Sequence, residues 1–180
     1  MKPQKSSVSV ASNGIQESVT FGIKESGMAH IMGVLRNQLY SDKVLAVVRE
    51  YTCNAVDANV EAGNADTAIT VTLPNRMNPY FKVRDNGLGL TQEDVNDIYA
   101  FYGESTKRNS NDQIGMLGIG SKSAFAYGDN FVINSYIDGT KHIYNAYIDE
   151  TQIGQISKIG EEPSNEPDGV QIIVPVKEDD

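Results

Sequence analysis

The sequence predicts an α/β fold, a two-layer α/β sandwich in which helices cover one face of a mixed, mostly antiparallel sheet. Helical patterns come early in the chain, and a run of strand patterns occupies residues 130–176. The pair Asp138-Gly139 separates two of these strands and is typical of a tight hairpin. The length of 180 residues favours one domain, 1–180.

The first third of the chain contains two predicted helices. Apolar residues recur at helical spacing over 27–38, and Lys43–Glu61 is the strongest helical pattern, with Gly63 after it as a stop signal. Residues 17–23 are expected to form a short strand. Residues 1–16, rich in Ser, Gln and Asn, are expected to form a flexible tail.

Two short strands, a glycine loop and a capped helix are predicted next. Apolar residues alternate with Thr over 68–73, and Tyr80–Arg84 is the expected partner strand. Residues 85–90 form a glycine loop. Thr91 is suited to cap a helix that continues to about residue 101.

The second half begins with a polar loop and continues mainly as strands. Residues 103–113 are expected to be a mobile loop, and the glycine-rich stretch 114–120 is expected to open a helix that ends near residue 126. Four strands are predicted, with a loop at 161–169 before the last; they are Asn130–Ile137, 141–148, 152–156 and 170–176.

Composition excludes several classes of protein. The chain has 24 acidic and 15 basic residues, and a net charge of −9 argues against nonspecific nucleic-acid binding while leaving a local nucleotide site open. One cysteine excludes an internal disulfide, and two histidines with one cysteine cannot complete a four-ligand zinc site of the usual kind. No apolar run approaches a membrane span and the start lacks a secretory pattern, so a cytoplasmic protein is expected.

The first group of candidate functional residues lies on the long helix. At about 100° per residue, Glu50, Asn54 and Asp57 share an arc of roughly 60° beside the expected core face. A glutamate there can act as a general base for water, and an Asn carbonyl oxygen can bind Mg²⁺. The alternative is a solvated polar stripe without function.

The second group is the loop Asp-Asn-Gly-Leu-Gly-Leu at 85–90, directly after a strand. Gly87 and Gly89 allow a sharp turn and close approach to a ligand. A carboxylate at Asp85 can accept a hydrogen bond from an exocyclic amine such as that of adenine. The alternative is a glycine turn in which Asp85 caps local N–H groups.

The third group is the glycine-rich stretch 114–125, which leads from the polar loop toward a helix. Backbone N–H groups around Gly115, Gly118 and Gly120 are suited to phosphate, and Lys122 can add positive charge. The glycine order differs from the dinucleotide fingerprint, and Ser121 precedes the lysine instead of following it as in a P-loop. The alternative is a flexible hinge before a helix.

The three groups, in this order and spacing, resemble the GHKL ATPases, the superfamily of gyrase, ninety-kilodalton heat-shock chaperones, histidine kinases and MutL, whose domain has the Bergerat fold. Residues 50–58 resemble the N-box, 85–89 the first glycine box and 114–125 the second, and the resemblance spans about 40–176. A narrower resemblance links the chain to the rIIA-type rapid-lysis proteins of T-even phages. It rests on three short segments, at 39–50, 118–123 and 172–176.

The resemblance implies roles for individual residues. Glu50 would activate the water that attacks the γ-phosphate, Asn54 would hold Mg²⁺, Asp85 would bind the adenine amino group, and Gly89 would shape the base pocket. The other nucleotide-binding residues that it implies are Asp57, Ala58, Gly87, Lys107, Gly115, Gly118, Ile119, Gly120, Ser121 and Lys122.

Position and departures from the family pattern add three expectations. Residues 103–113 correspond to the ATP lid. Family members often carry Gly-Thr where this chain has Gly169-Val170, so a hydroxyl that reaches adenine is expected to be missing and base selectivity or affinity to be reduced. Gyrase and MutL types take a phosphate-sensing lysine from a following domain, and this chain ends near the end of the nucleotide domain, so slow or absent turnover is expected.

The leading expectation is a Mg²⁺-dependent ATP-binding domain whose slow hydrolysis drives a lid or dimer switch. One alternative is a nucleotide-sensing module without significant hydrolysis that binds a host or phage regulatory protein. A histidine-kinase catalytic domain is the other, and His30 is its only candidate phosphoacceptor near a helix. The resemblance also implies ATP-dependent dimerisation through residues 1–20, membrane association, and a host-cytoplasmic location if the protein is phage-encoded.

Overall fold

The structure is a computed structural model that describes residues 27–100 and 120–177. Its helices are α1 (Met28–Asn37), α2 (Lys43–Glu61), α3 (Gln92–Val95) and α4 (Ala124–Tyr127). Its strands are β1 (Thr70–Thr72), β2 (Tyr80–Arg84), β3 (Asn130–Ile137), β4 (Thr140–Ile148), β5 (Gly154–Pro163) and β6 (Gly169–Pro175). The six strands form one sheet in the order β1-β2-β6-β3-β4-β5, and each neighbouring pair is antiparallel. The predicted α/β fold is confirmed.

The strand register places apolar side chains of four strands side by side on one face of the sheet. Val83 pairs with Ile172, Ile172 with Ile133, and Ile133 with Tyr144. These residues are buried, and α2 covers the same core with Val47, Tyr51 and Ala55. Because side chains alternate between faces along a strand, this register gives the sheet one helix-covered face and one opposite face.

The helix α2 has the bounds that the sequence predicts, and its ends show why. The Asp42 side chain accepts a hydrogen bond from the Leu45 amide at 2.8 Å, which satisfies one of the free N–H groups of the first turn. Beyond the last turn, Gly63 has φ +76°, the left-handed conformation that ends helices.

The predicted helix from Thr91 to about residue 101 is α-helical only over α3. Thr91 and Asp94 form the reciprocal capping box at its start, and the chain then widens into a π-helical turn, Asn96–Ala100. The wider turn lets Ile98 face a cavity while the Tyr99 ring packs 6.1 Å from the ring of Phe131. A single regular helix was therefore the wrong prediction.

The predicted bounds 152–156 for the fifth strand were also wrong, because β5 pairs with β4 as far as Pro163. A bulge explains the error. Ile143 pairs with Gly160 and Tyr144 with Lys158, which leaves Ile159 as an extra residue, 62% exposed. The bulge breaks the two-residue alternation from which strands are predicted, so the loop assigned to 161–169 begins only after Pro163.

Several predictions lie outside the described residues: the tail at 1–16, the strand at 17–23, the lid at 103–113 and the glycines at 115 and 118. Within the described ranges, no helix has the length and apolar character needed to cross a membrane.

Candidate functional site

A cavity of about 310 Å³ opens at one end of the helix-covered face of the sheet. Its apolar walls come from Leu90, Ile98, Ile137 and Val170, contributed by the glycine loop, the π turn, β3 and β6. Such a volume lies within the range of small-ligand pockets, about 300–1,000 Å³. The arrangement suits a flat apolar ring with a polar edge.

Asp85 is a buried carboxylate in the lining of this cavity, whereas Glu61 and Asp94, which also line it, are exposed. Backbone groups hold the Asp85 carboxylate in place. Oδ1 accepts hydrogen bonds from the amides of Gly87 and Val170, both at 2.9 Å. Asp85, the predicted adenine contact, thus uses Oδ1 for backbone amides, and its Oδ2 is available to a group in the cavity as far as the described residues are concerned. Burial raises the pKa of Asp85 above its ordinary value, while the two amide bonds and the charge of Arg84 act in the opposite direction.

The two loop glycines differ in how tightly their surroundings exclude a side chain. A Cβ at Gly87 would lie 3.0 Å from Asp85 Oδ1 and 3.1 Å from the Ala58 Cβ, so the loop packs directly on α2. Gly89 has φ +74°, and a Cβ there would overlap the backbone carbonyl of Tyr136. The loop therefore takes a path that only glycine permits at position 89.

Val170 lies beside Asp85 in the cavity wall. The Asp85 amide donates to the Val170 carbonyl at 3.0 Å, and the Val170 amide donates to the Asp85 carboxylate, so the two residues are paired through the backbone. Gly169, just before it, has φ +138° and leaves no space for a side chain next to Asp85. At this point the wall presents an isopropyl group and no hydroxyl, as the Gly-Val pair predicts.

The polar residues of α2 begin with Glu50, which faces the glycine turn at Gly120–Lys122. A side chain at Gly120 would overlap Glu50 Oε2. Glu50 Oε1 accepts a hydrogen bond from the Arg49 guanidinium at 2.7 Å, and its side chain is 19% exposed. The structure thus brings together the predicted general base and the predicted phosphate-binding turn.

Further along α2, Asn54 is half-buried and Asp57 is 1% exposed. The alternative of a solvated polar stripe does not hold for Asp57. Ala58 lines the cavity one residue later. The arc of polar residues therefore runs from the glycine turn at one end to the cavity at the other.

Within the second glycine box, residues Gly120–Lys122 form a 3₁₀ turn, and α4 begins only at Ala124. Tyr51 of α2 holds it by donating to the Ser121 carbonyl at 3.0 Å and accepting from the Ala124 amide at 3.3 Å. The predicted continuous helix from residue 120 was therefore wrong, because the tyrosine hydroxyl takes the place of helical hydrogen bonds here.

Lys122 is 1% exposed, and its Nζ donates to the Ile98 carbonyl at 2.7 Å. Burial lowers the pKa of Lys122 to about 8. Its ammonium group links the turn to the cavity through Ile98. The predicted contact of Lys122 with phosphate stays a prediction. The predicted residues Lys107, Gly115, Gly118 and Ile119 lie outside the described residues.

Two site residues were missed in the sequence. Asn59 is 2% exposed and bridges two segments, since Nδ2 donates to the Thr67 carbonyl and Oδ1 accepts from the Asn86 amide, both at 2.7 Å. Arg84 lies behind Asp85. The only sequence signal for either was position, next to the N-box for Asn59 and next to the first glycine box for Arg84.

Mg²⁺ fits the oxygen donors of this site. No cluster of three or more His, Cys, Asp or Glu side chains suited to a metal occurs in the ranges 27–100 and 120–177. Mg²⁺ is commonly held by one or two protein oxygens together with substrate phosphates. The Asn54 carboxamide, one turn after Glu50, is a donor of that kind.

Comparisons with known proteins agree with this geometry. A family model described as histidine kinase-, DNA gyrase B-, and HSP90-like ATPase matches residues 42–172. The chaperone protein HtpG of Rickettsia rickettsii (strain Sheila Smith) is 26% identical over 196 aligned residues, covering 92% of this chain and 29% of the relative. The DNA mismatch repair protein MLH3 of Saccharomyces cerevisiae is 31% identical over 112 residues, covering 62% of this chain and 15% of the relative.

The chain spans less than a third of the length of these relatives. The family match, by contrast, covers well over half of the chain, and it includes the polar arc of α2, the glycine loop, the 3₁₀ turn and the wall of the cavity. The chain therefore belongs to the histidine kinase-, DNA gyrase B- and HSP90-like ATPases and contains an ATP-binding domain of the GHKL type.

Proposed function

We propose that this domain binds ATP with Mg²⁺ and hydrolyses it slowly to ADP and phosphate. The observation that carries the proposal is the placement of Asp85 on an apolar cavity while Glu50, on the same helix-covered face, lies against the Gly120 turn. The base and the phosphates of one nucleotide would then occupy two sites that α2 connects.

Adenine is the base that suits the cavity. Leu90, Ile98 and Val170 would contact the ring, and Asp85 Oδ2 would accept a hydrogen bond from the exocyclic amine. A guanine in the same orientation would present a carbonyl oxygen to this carboxylate, which is repulsive. Specificity for adenine would thus come from Asp85.

Hydrolysis would use Glu50 as the general base. Its carboxylate would take a proton from water, the water oxygen would bond to the γ-phosphorus, and the bond from phosphorus to the β,γ-bridging oxygen would break to release ADP. The backbone at Gly120 would bind phosphate oxygens. Mg²⁺, held by Asn54 and the phosphates, would supply charge neutralisation when bound.

Nucleotide sensing without turnover is the second candidate function, and one contact favours it. The Arg49 guanidinium donates to Glu50 Oε1 at 2.7 Å and competes with water for the carboxylate. In this form the domain would bind ATP as a signal to a protein partner. Removing the Arg49 side chain would then raise turnover.

We also propose that the protein is related to the rIIA-type proteins of T-even phages. The segments at 39–50, 118–123 and 172–176 support an rIIA-like phage protein. The family pattern adds a lid at 103–113 and ATP-dependent dimerisation, and the length of the chain favours one domain, 1–180. A host or phage regulatory protein would be its partner. Light scattering with and without a nonhydrolysable ATP analogue tests the dimer, and a monomer in both conditions would contradict it.

Calorimetric titration with ATP and ADP, with and without Mg²⁺, tests the proposed function. Asp85→Asn should abolish binding, because Oδ1 must remain the acceptor for two amides and the new amide group would then face the adenine amine. Glu93→Gln, which alters an exposed carboxylate outside the lining of the cavity, is the matched control and should bind ATP like wild type. Equal ATP affinity of wild type and Asp85→Asn, or no binding by wild type at millimolar ATP, would contradict the proposal.

Turnover is tested separately by phosphate release. Glu50→Ala should bind ATP and release no phosphate above background. Arg49→Met distinguishes the two candidate functions, since faster release than wild type would show that Arg49 restrains Glu50. Equal turnover of Glu50→Ala and wild type would overturn the catalytic role.

A further inference from the structure

Arg84 is the last residue of β2, and its side chain lies on the face of the sheet opposite the helices. It follows Val83, which points into the core, so alternation directs Arg84 to the other face. Its guanidinium carbon lies 4.3 Å from the centre of the Tyr136 ring, and Nη2 donates to the Pro167 carbonyl at 2.5 Å. The side chain is 14% exposed, so this arginine is held in one place.

The same guanidinium contacts Asp85 on the side that faces away from the cavity. Nη1 donates to the Asp85 backbone carbonyl and lies 4.0 Å from Asp85 Oδ1. No side chain fits at Gly169 beside this pair, because a Cβ there would overlap Arg84 Nη1 and would lie 2.6 Å from the Asp85 carbonyl oxygen. One face of Asp85 therefore meets the cavity, and the other meets a fixed positive charge.

The cavity itself disfavours a charged Asp85. Glu61 and Asp94 line the same space, and Tyr99, whose pKa is raised by burial and then by the Asp85 charge, stays neutral where Asp85 titrates. Burial also raises the pKa of Asp85. Against these effects act two backbone amides and the Arg84 guanidinium.

We propose that Arg84 is a positioning residue that keeps the Asp85 carboxylate ionised and fixed toward the cavity. This role rests on the proposed function, in which Asp85 Oδ2 accepts a hydrogen bond from the adenine amine. A protonated Asp85 would carry its proton on Oδ2, because Oδ1 accepts from two backbone amides. The planar guanidinium suits this task, since it can stack on Tyr136 and donate to two carbonyls at once.

The test is a titration of the Asp85 carboxyl carbon by ¹³C NMR in nucleotide-free protein, with the signal assigned by its loss in Asp85→Asn. In Arg84→Met the pKa of Asp85 should rise by about one unit or more, as expected on loss of a cation within about 4–6 Å. Arg84→Lys keeps the charge and should show a smaller rise. Lys82→Met, which removes a cation from the same strand and face, is the control and should leave Asp85 unchanged.

If Arg84→Met does not fold, a measurement on wild type tests the same proposal. The side-chain ¹⁵N signals of wild-type Arg84 should shift with pH, with the same midpoint as the titration of Asp85. Absence of that shared midpoint, or the same Asp85 titration in Arg84→Met and wild type, would overturn the proposal.

ATP affinity across pH 4–8 separates this role from a purely structural one. As the pH falls, ATP affinity should be lost at a midpoint about one pH unit higher in Arg84→Met than in wild type. A purely structural role would instead weaken ATP binding by the same factor at every pH. A constant factor would overturn the proposal. A shifted Asp85 titration in a protein that binds no ATP would uphold the role of Arg84 and reject the proposed function.

Discussion

The carboxylate of Glu50 lies against the α-carbon of Gly120, so the N-box helix and the second glycine box are in direct contact. The side-chain carbon Cδ of Glu50 would be 3.3 Å from a Cβ at position 120, and Oε2 would overlap it. The atoms that would collide are the flexible end of one side chain. The contact therefore constrains where Glu50 can point more than it constrains the fold.

Gly120→Ala should separate activity from stability. The added methyl group would force the Glu50 carboxylate to rotate away, so phosphate release should fall at least tenfold. The free energy of unfolding should change by less than about 1 kcal/mol, because only a flexible side chain must move. Phosphate release and urea unfolding measure the two effects.

Gly128→Ala is the control for this prediction, since a Cβ there would meet nothing within 4 Å. It should leave phosphate release unchanged. Wild-type turnover in Gly120→Ala would show that the observed position of Glu50 is not the one used in hydrolysis.

Gly89→Ala should destabilise the protein more than Gly63→Ala, although the two residues have almost the same backbone conformation. Their φ angles are +74° and +76°, so each substitution carries the left-handed cost of about 1–2 kcal/mol. At Gly89 the new Cβ would also overlap the Tyr136 carbonyl, whereas at Gly63 it would meet nothing within 4 Å.

We expect the free energy of unfolding to fall by about 1–3 kcal/mol more in Gly89→Ala than in Gly63→Ala. Urea denaturation of the two variants at equal concentration measures the difference. Equal midpoints would mean that the glycine loop can move away from β3 at little cost.

The sequence predicts the helices, the strands and the glycine motifs better than it predicts the residues that hold the motifs in place. The bounds of α2 follow from local causes, an Asp42 cap and a stop glycine, and the loop around Asp85 follows from its own glycines. The bulge at Ile159 and the π turn cannot be predicted in this way, because each depends on the neighbouring strand or core contact.

Arg84 and Asn59, which hold the site residues in place, were missed for the same reason. Arg84 acquires its role from the Pro167 carbonyl and the Tyr136 ring, residues more than 50 positions away in the sequence. Hydrogen bonds of Asn59 reach two different loops. A polar residue beside a motif shows neither its partners nor its burial until the chain is folded.

Asn59→Ala should be among the most destabilising polar substitutions in the site. It would leave the Thr67 carbonyl and the Asn86 amide without their partner in a region where Asn59 is 2% exposed. Each lost buried partner costs about 1–3 kcal/mol, so we expect the two together to lower the free energy of unfolding by about 2–6 kcal/mol.

Asn64→Ala is the matched control, because its exposed side chain donates one hydrogen bond, to the Asn86 carbonyl at 2.7 Å. It should cost less than about 1 kcal/mol. Urea unfolding compares the two variants. An Asn59→Ala loss no larger than that of Asn64→Ala would show that water replaces both buried bonds.

Lys122 should make the protein more stable as the pH rises above neutrality. Its pKa is about 8 in the folded chain because burial disfavours the ammonium form, and its ordinary value is 10.5. Between these values the unfolded chain binds more protons than the folded chain, so the free energy of unfolding rises with pH, by at most about 1.4 kcal/mol per unit. Below pH 8 Lys122 is protonated in both the folded and the unfolded chain, so it no longer makes the free energy of unfolding depend on pH.

Lys122→Met isolates this contribution. Buried tyrosines such as Tyr51, whose pKa burial raises, oppose the gain near pH 10 and above, but they act equally in both proteins. We therefore expect the stability difference, wild type minus Lys122→Met, to increase from pH 7.5 to 9.5 in urea unfolding. A difference that stays constant over this range would mean that Lys122 keeps its proton in the folded chain, with the Ile98 carbonyl offsetting the effect of burial.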